Sequence, residues 1–144
     1  MSSIRHILQV KGNSYIWSVK PDDSVYEALR LMADKDVGAL MVMDGEKLVG
    51  ILSERDYARK VILFGKTSRE TSVKEIMSTR IISIHAGQTT EEAMDLMNSN
   101  RIRHLPVMDE DNKLIGVISI SDVLRDIIYS QREKIKHFSE TITQ

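Results

Sequence analysis

"GVISISD" at 116–122 stands between the hairpin-like run "LPVMDEDNKLI" and "VLRDIIY", whose apolar residues fall at helical spacing. Ser119 and Asp122 fit the pattern Ser/Thr-x-x-Asp/Glu, in which a hydroxyl and a carboxylate satisfy backbone N–H groups left open at a helix start. One such match asks only for a strand that runs into a capped helix. The same punctuation occurs in "GILSERD" at 50–56, where Gly50, Ser53 and Asp56 match Gly116, Ser119 and Asp122 at an offset of 66. A strand-to-helix junction written twice points to a duplicated chain.

The duplication extends upstream. "SVYEALRLM" (24–32) aligns with "TTEEAMDLM" (89–97) at an offset of 65, and "GALMVMDGEKLVGILSERD" (38–56) with "RHLPVMDEDNKLIGVISISD" (103–122), which carries one extra turn residue. "SIRHIL" (3–8) resembles "SVKEIM" (72–77) at an offset of 69. Each copy reads β-α-β-β-α. Val25, Ala28, Leu29 and Met32 form a helical stripe, repeated by Thr90, Ala93, Met94 and Met97, and both helices open on a capping box, Ser24 to Glu27 and Thr89 to Glu92. "ALMVM" and "LVGIL" are short strands around the turn "DGEK", with "EDN" in its place in the second copy. Pro106 has no N–H for a ladder, so it is expected to open its strand or lie at an edge. The last helix of the first copy should stop by Gly65, whereas "IIYSQREKIKHF" continues without Gly or Pro and predicts a longer helix. The expected division is residues 3–64 for the first repeat, 65–71 for a polar surface connection, 72–130 for the second repeat and 131–144 for a helical extension. Neither half buries enough apolar surface alone, so the fold class is α/β (α+β), two repeats packed sheet to sheet with pseudo-twofold symmetry.

Composition narrows the chemistry. The 144 residues contain no cysteine, which excludes disulfides and thiolate chemistry and fits a cytoplasmic setting. The net charge of −1 gives no bulk attraction for nucleic acid or an anionic membrane, and no apolar run approaches the roughly 20 residues of a membrane span. His6, His85, His104 and His137 share no chelate spacing, so no metal site is expected. With no nucleophile–base pair and no P-loop, an enzyme is not expected either.

In its ordered elements and its repeated G-h-h-S-x-x-D junctions, the chain resembles a tandem pair of cystathionine-β-synthase (CBS) domains, the Bateman module, of the small stand-alone bacterial type. The resemblance covers about residues 3–130. It implies a regulatory module that binds an adenosine-containing ligand, AMP, ADP, ATP, NAD or S-adenosylmethionine, and signals to an effector protein through a change of shape, with no catalytic cofactor. The alternative is a constitutive dimeric adaptor with non-functional clefts. An ionised Asp only accepts hydrogen bonds, which suits Asp56 and Asp122 to a ribose diol, and Ser53 and Ser119 sit where helix N–H groups favour phosphate. The resemblance draws an adenine slot from "YIWSV" and "RIISI" and from the turns "VGAL" and "IRHL". The favoured nucleotide cleft is Thr79, Ile82, Arg103, His104, Ser119, Ser121 and Asp122, with Arg103 and His104 as two groups able to carry charge near phosphate. The second is Trp17, Ala39, Ser53, Arg55 and Asp56, with Arg55 able to reach phosphate in the other cleft.

Each of these residues also has a plainer reading. The Ser–Asp pairs can be caps alone, Arg103 and His104 a solvated edge, Trp17 core or interface, and Arg132 with Lys136 a solvated helix face. The apolar stretches "YARKVILF" (57–64) and "VLRDIIY" (123–129) exceed what one small core needs and predict a homodimer.

Overall fold

The computed structural model describes residues 3–12 and 16–142. Tyr15 of "YIWSV" and the last two positions of the expected extension lie outside the described residues. The elements run α1 (Ile4–Lys11), β1 (Ser18–Val19), α2 (Val25–Lys35), β2 (Ala39–Asp44), β3 (Lys47–Ser53), α3 (Glu54–Tyr57) with a π-helical turn Ala58–Ile62, α4 (Val73–Ile76), β4 (Ile84–His85), α5 (Thr90–Asn100), β5 (His104–Met108), β6 (Leu114–Ser119) and α6 (Ile120–Ile142). They form a mixed α+β architecture with two three-stranded sheets, ordered β1-β2-β3 and β4-β5-β6.

Each sheet is an antiparallel hairpin with a two-residue parallel strand added to its first arm. The crossover from that short strand is a helix, as parallel pairing requires. α2 buries Val25, Ala28 and Met32, and α5 buries Thr90, Ala93 and Met97, the stripes the sequence predicts. Both helices end on a left-handed residue, Asp36 at φ 53° and Arg101 at φ 54°, which turns the chain into the central strand. The hairpins turn differently. Gly45 at φ 63° closes the first, whereas the extra residue of the second is absorbed by Asp109, whose side chain accepts from the N–H groups of Asp111 and Lys113.

The compact units and the sequence repeats divide the chain at different places. One unit is residues 15–81; the other joins residues 82–144 to the stretch that carries α1. Ile4 and Ile7 of α1 therefore share a core with Ile84, Ala93, Leu105 and Ile118, while Val73 and Ile76 of α4 join Val25, Leu40, Leu52 and Val61. The stretch expected as a surface connection between repeats lies inside the first unit, where Thr71 is buried and its carbonyl accepts from Val25 N–H. Ser3 bridges to Thr89 and Ser72 to Ser24, so the same attachment is made twice.

Glycine permits that attachment. A Cβ on Gly116 would stand 2.7 Å from a Leu8 methyl, and one on Gly50 would stand 2.5 Å from the Met77 sulfur and 3.1 Å from the Ser78 carbonyl oxygen. Leu8 and Met77 are equivalent in the alignment, and each lies on the glycine of its hairpin.

Three expectations are corrected. Pro106 neither opens its strand nor lies at an edge: it is inside β5, the central strand, opposite Val117. Its counterpart Met41 donates its N–H to the Trp17 carbonyl, on the side of the short parallel strand. A proline there has no N–H to give, and β4 pairs only beyond it, Ile84 with Val107. Of the described residues of "YIWSV" only Ser18 and Val19 are strand, and of "RIISI" only Ile84, which pairs together with the following His85. The caps of α2 and α5 are half boxes: Ser24 and Thr89 accept from Glu27 and Glu92 N–H, but the Glu92 carboxylate bonds Gln88 instead of the cap backbone.

Gly50 and Gly116 generate a ranked prediction. Gly116→Ala meets only a mobile Leu8 side chain, whereas Gly50→Ala also meets backbone at Ser78. Gly50→Ala should therefore lose about 1–3 kcal/mol, the range for overpacking, and Gly116→Ala less. Urea denaturation of both variants measures the order, and the reverse order contradicts this account.

Candidate functional site

Both Ser-x-x-Asp junctions form complete capping boxes. At the first, Asp56 Oδ2 accepts from Ser53 N–H at 3.0 Å and Ser53 hydroxyl at 3.1 Å, while Ser53 Oγ accepts from Asp56 N–H at 3.2 Å. At the second, Asp122 Oδ2 accepts from Ser119 N–H at 2.8 Å, and Ser119 Oγ from Asp122 N–H at 3.2 Å. Each carboxylate also holds a lysine. Lys60 stands 3.1 Å from Asp56 Oδ1 and donates to the Ile76 carbonyl at the end of α4. Lys11 stands 3.0 Å from Asp122 Oδ2 and donates to the Val117 carbonyl at 2.9 Å. In each unit the lysine ties the sheet-to-helix junction to the helix attached from elsewhere in the chain.

The two locks differ because α1 and α4 end differently. After α4 the chain extends, and Ser78 pairs with Ile51 on the outer edge of β3. α1 continues as helix to Lys11, so at Val117, the counterpart of Ile51, an ammonium group meets the β6 carbonyl that a strand meets in the other unit. Asp122 is only 8% exposed. Burial pushes its carboxyl up, but the Ser119 N–H, Lys11 and the Ser119 hydroxyl together outweigh burial and hold it below the usual carboxylate range. Arg125 adds a weaker contact at 3.8 Å. His104 is pushed below its usual pKa, burial first and then Lys11 and Arg103 disfavouring the charged ring against the pull of Asp122.

Asp122 lines a cavity of about 490 Å³ between α1 and α6, with His6, Lys11, Arg125, Asp126 and Tyr129. That is the scale of a nucleotide pocket. Asp126 Oδ2 is buried there without a hydrogen-bond partner among the described residues. Arg103 lines a different hollow, of about 510 Å³, with Met94, Asn98, Arg101 and Ile120. Within this unit the structure therefore places Arg103 and Asp122 in separate hollows. Ile82 packs against the core; Ser119 is the cap, and Ser121 is exposed in the first turn of α6. Thr79 belongs to the other unit. There Ala39 pairs with Ser53, Arg55 is exposed in the first turn of α3, and Trp17 packs on the core beneath the Lys35 ammonium, 4.4 Å from its ring. Lys11 and Asp126 were not singled out by the sequence. The clue to Lys11 was the offset of 69, which differs from the 65 and 66 of the later segments and marks the stretch after α1 as differently connected.

A sequence profile of the CBS domain matches residues 12–62 and 73–129. The mitochondrial CBS domain-containing protein CBSX3 of Arabidopsis thaliana is 37% identical over 98% of this chain and 72% of its own length. This chain spans less than half of some other curated relatives. Among solved structures, the CBS domain protein NE2398 is 45% identical with a TM-score of 0.83, covering 88% of this chain and 98% of that one. CBSX2, solved in complex with AMP, is 27% identical with a TM-score of 0.72, covering 91% and 99%. A chain of two β-hairpin repeats with duplicated capped junctions is thus a tandem module of two like domains. It belongs to the CBS domain family.

Lys11→Met should destabilise the protein at pH 7 by about 1–2 kcal/mol, the lower part of the range for a hydrogen bond to a charged group because the Lys11 side chain is 35% exposed. A depressed carboxyl pKa contributes stability above the unfolded value of about 3.9 and loses it as pH falls through the lower folded value. The gap between wild type and Lys11→Met should be flat from about pH 8 to 5 and close below about pH 4. Denaturant titrations across that range check it; a gap unchanged at pH 3 contradicts the ion pair.

Proposed function

We propose that this protein is a non-catalytic sensor of an adenosine-containing ligand, AMP, ADP, ATP or NAD, acting as a homodimer and signalling to an effector protein by changing shape. The observation that carries the reading is Asp122, an ionised acceptor at a duplicated strand-to-helix junction, lining a ligand-sized cavity in a chain whose relative CBSX2 was solved with AMP. Asp122 takes the ribose diol. Ser119 serves the same junction, and Arg103, from the neighbouring hollow, with His104, Ile82 and Ser121, completes the second repeat's site; Trp17, Ala39, Ser53, Arg55 and Asp56 form the weaker site of the first. The homodimer uses the exposed apolar residues Ile62, Leu63 and Phe64 after α3, and Leu124, Ile128 and Tyr129 on α6.

The Lys11–Asp122 pair supplies the switch. Oδ2 of Asp122 already accepts from Ser119 and Lys11, so the carboxylate can give one oxygen to each ribose hydroxyl only if the ammonium group yields. Ligand binding then competes with the contact that fastens α1 to β6, so it shifts an equilibrium between a fastened and a released α1.

Three measurements test this. In ligand-free protein, a nucleotide at 100 times its dissociation constant should add about 2.7 kcal/mol of stability. No thermal shift with any of the four, nor with S-adenosylmethionine, removes the sensor reading in favour of the constitutive adaptor. Asp122→Asn should weaken AMP binding by about 1.5–3 kcal/mol and abolish the preference for AMP over 2′-deoxy-AMP. An unchanged ribo/deoxy ratio in calorimetry would falsify the ribose role. Lys11→Met should bind adenosine, which has no phosphate for Lys11 to hold, on the order of 10-fold more tightly, because no lock is left to open. Weaker or equal binding removes the switch but leaves the sensor.

A further inference from the structure

α6 is 23 residues long, about twice the length of α2 and α5, and every residue of its second half, from Gln131 to Ile142, is exposed. The CBS match ends at residue 129, before this segment begins. A helix of about 12 residues with no packed face is marginal in water. Its sequence "QREKIKHFSETI" has no alanine and three β-branched residues, which lowers its intrinsic helicity further.

The apolar residues on α6 fall into two sets. Ile120, Val123 and Ile127 pack into the core of their unit. Of the exposed others, Tyr129 at 61% lies off the line of Leu124 at 44%, Ile128 at 50%, Ile135 at 66%, Phe138 at 64% and Ile142 at 66%. With Gln131 they follow one another at intervals of 4, 3, 4, 3 and 4, the seam of a heptad repeat. Ile128, Ile135 and Ile142 occupy the a positions, and Leu124, Gln131 and Phe138 the d positions. Ile at every a position with Leu124 at the first d is the combination that favours two strands in a parallel coiled coil, and a polar residue in the seam, here Gln131 at d, sets register.

We propose that α6 forms a parallel, in-register two-stranded coiled coil with α6 of a second copy of this chain, along the seam from Leu124 to Ile142. This rests on the homodimer proposed above and names its seam and orientation. Two observations choose a second copy in parallel. In the antiparallel register that overlaps the whole seam, Arg132 meets Arg132 and Lys134 meets Lys134, so like charges face each other on both flanks. Gln131 would there oppose Ile135, leaving its amide without a partner in an apolar layer. In parallel, Lys134 lies beside Ser139 and Arg132 beside Ile127 of the second copy, with no like-charge pair. Gln131 then faces Gln131, and two amides can donate to and accept from each other. A two-fold axis along the helix makes the seam self-complementary, as a closed dimer requires.

The full chain provides a clean test because it has no cysteine. Sedimentation equilibrium without ligand should show a dimer, and Ile135→Asp should weaken it on the order of 100-fold or more, since a carboxylate would be buried in the seam. Ile135 is exposed within the protomer, so the melting of the two units should hardly change. Ile142→Cys should form a disulfide between copies under mild oxidation. An antiparallel seam would separate the two residues by about 27 Å, at 1.5 Å per residue, far beyond disulfide reach. Efficient cross-linking only between Leu124→Cys and Ile142→Cys overturns the parallel orientation. A dimer of wild-type strength in Ile135→Asp overturns the coiled coil while leaving a homodimer through another face. A wild-type monomer overturns both, and none of these outcomes bears on nucleotide binding.

Discussion

Two glycines without side chains decide how this chain is put together. A segment remote from each hairpin lays one side chain, Leu8 or Met77, on the strand backbone at Gly116 or Gly50, at a distance where a Cβ could not stand. That close approach brings the β-branched and apolar residues around Leu8 and Met77 onto the hairpin: Ile4 and Ile7 in one case, Val73 and Ile76 in the other, all essentially removed from water. At roughly 1.5–3 kcal/mol for each large side chain fully buried, these attachments are a substantial part of the stability of either unit. The sheets are only three strands wide, and the faces they bury are completed by helices that the order of the sequence does not place beside them.

Much of this was legible in the residues. The stripes of α2 and α5, the hairpins, the stop before Gly65 and the length of α6 all follow from local chemistry that the fold does not override. What was not legible depended on partners distant in sequence. Pro106 was misplaced because edge position is a property of pairing, and its tolerance in a central strand comes from β4 pairing only beyond it. The half box at α5 was missed because Gln88, four residues from Glu92, competes for the carboxylate; nothing in the structure explains the one at α2. The Ser-x-x-Asp boxes were legible as caps. That lysines would meet both carboxylates was not, since Lys11 and Asp122 lie 111 positions apart.

The two lysines also show how a duplicated chain can diverge without losing its frame. Lys60 is local, one helical turn from Asp56, and belongs to the same unit by sequence and by contact. Lys11 reaches its carboxylate from the far end of the chain and substitutes for a strand contact at Val117. The second junction is therefore the one whose integrity depends on a separate helix staying in place, which is the property a ligand-responsive contact needs. The first is held by a lysine of its own turn, reaching α4 only 16 positions away.

The discontinuous unit has a consequence for biosynthesis. Residues 15–81 contain everything their unit needs, and its locking contact, Lys60 to Ile76, spans 16 positions. That unit can close as soon as α4 leaves the ribosome. α1 is made first but must wait for β6, since Lys11 and Val117 are 106 positions apart. During that interval Ile4, Ile7 and Leu8 have no sheet to cover, and long-range closure makes this the slower step. The Lys11–Val117 contact is thus made later than the Lys60–Ile76 one. Pulsed hydrogen exchange during refolding should show the same order, with β2 and β3 protected before β5 and β6.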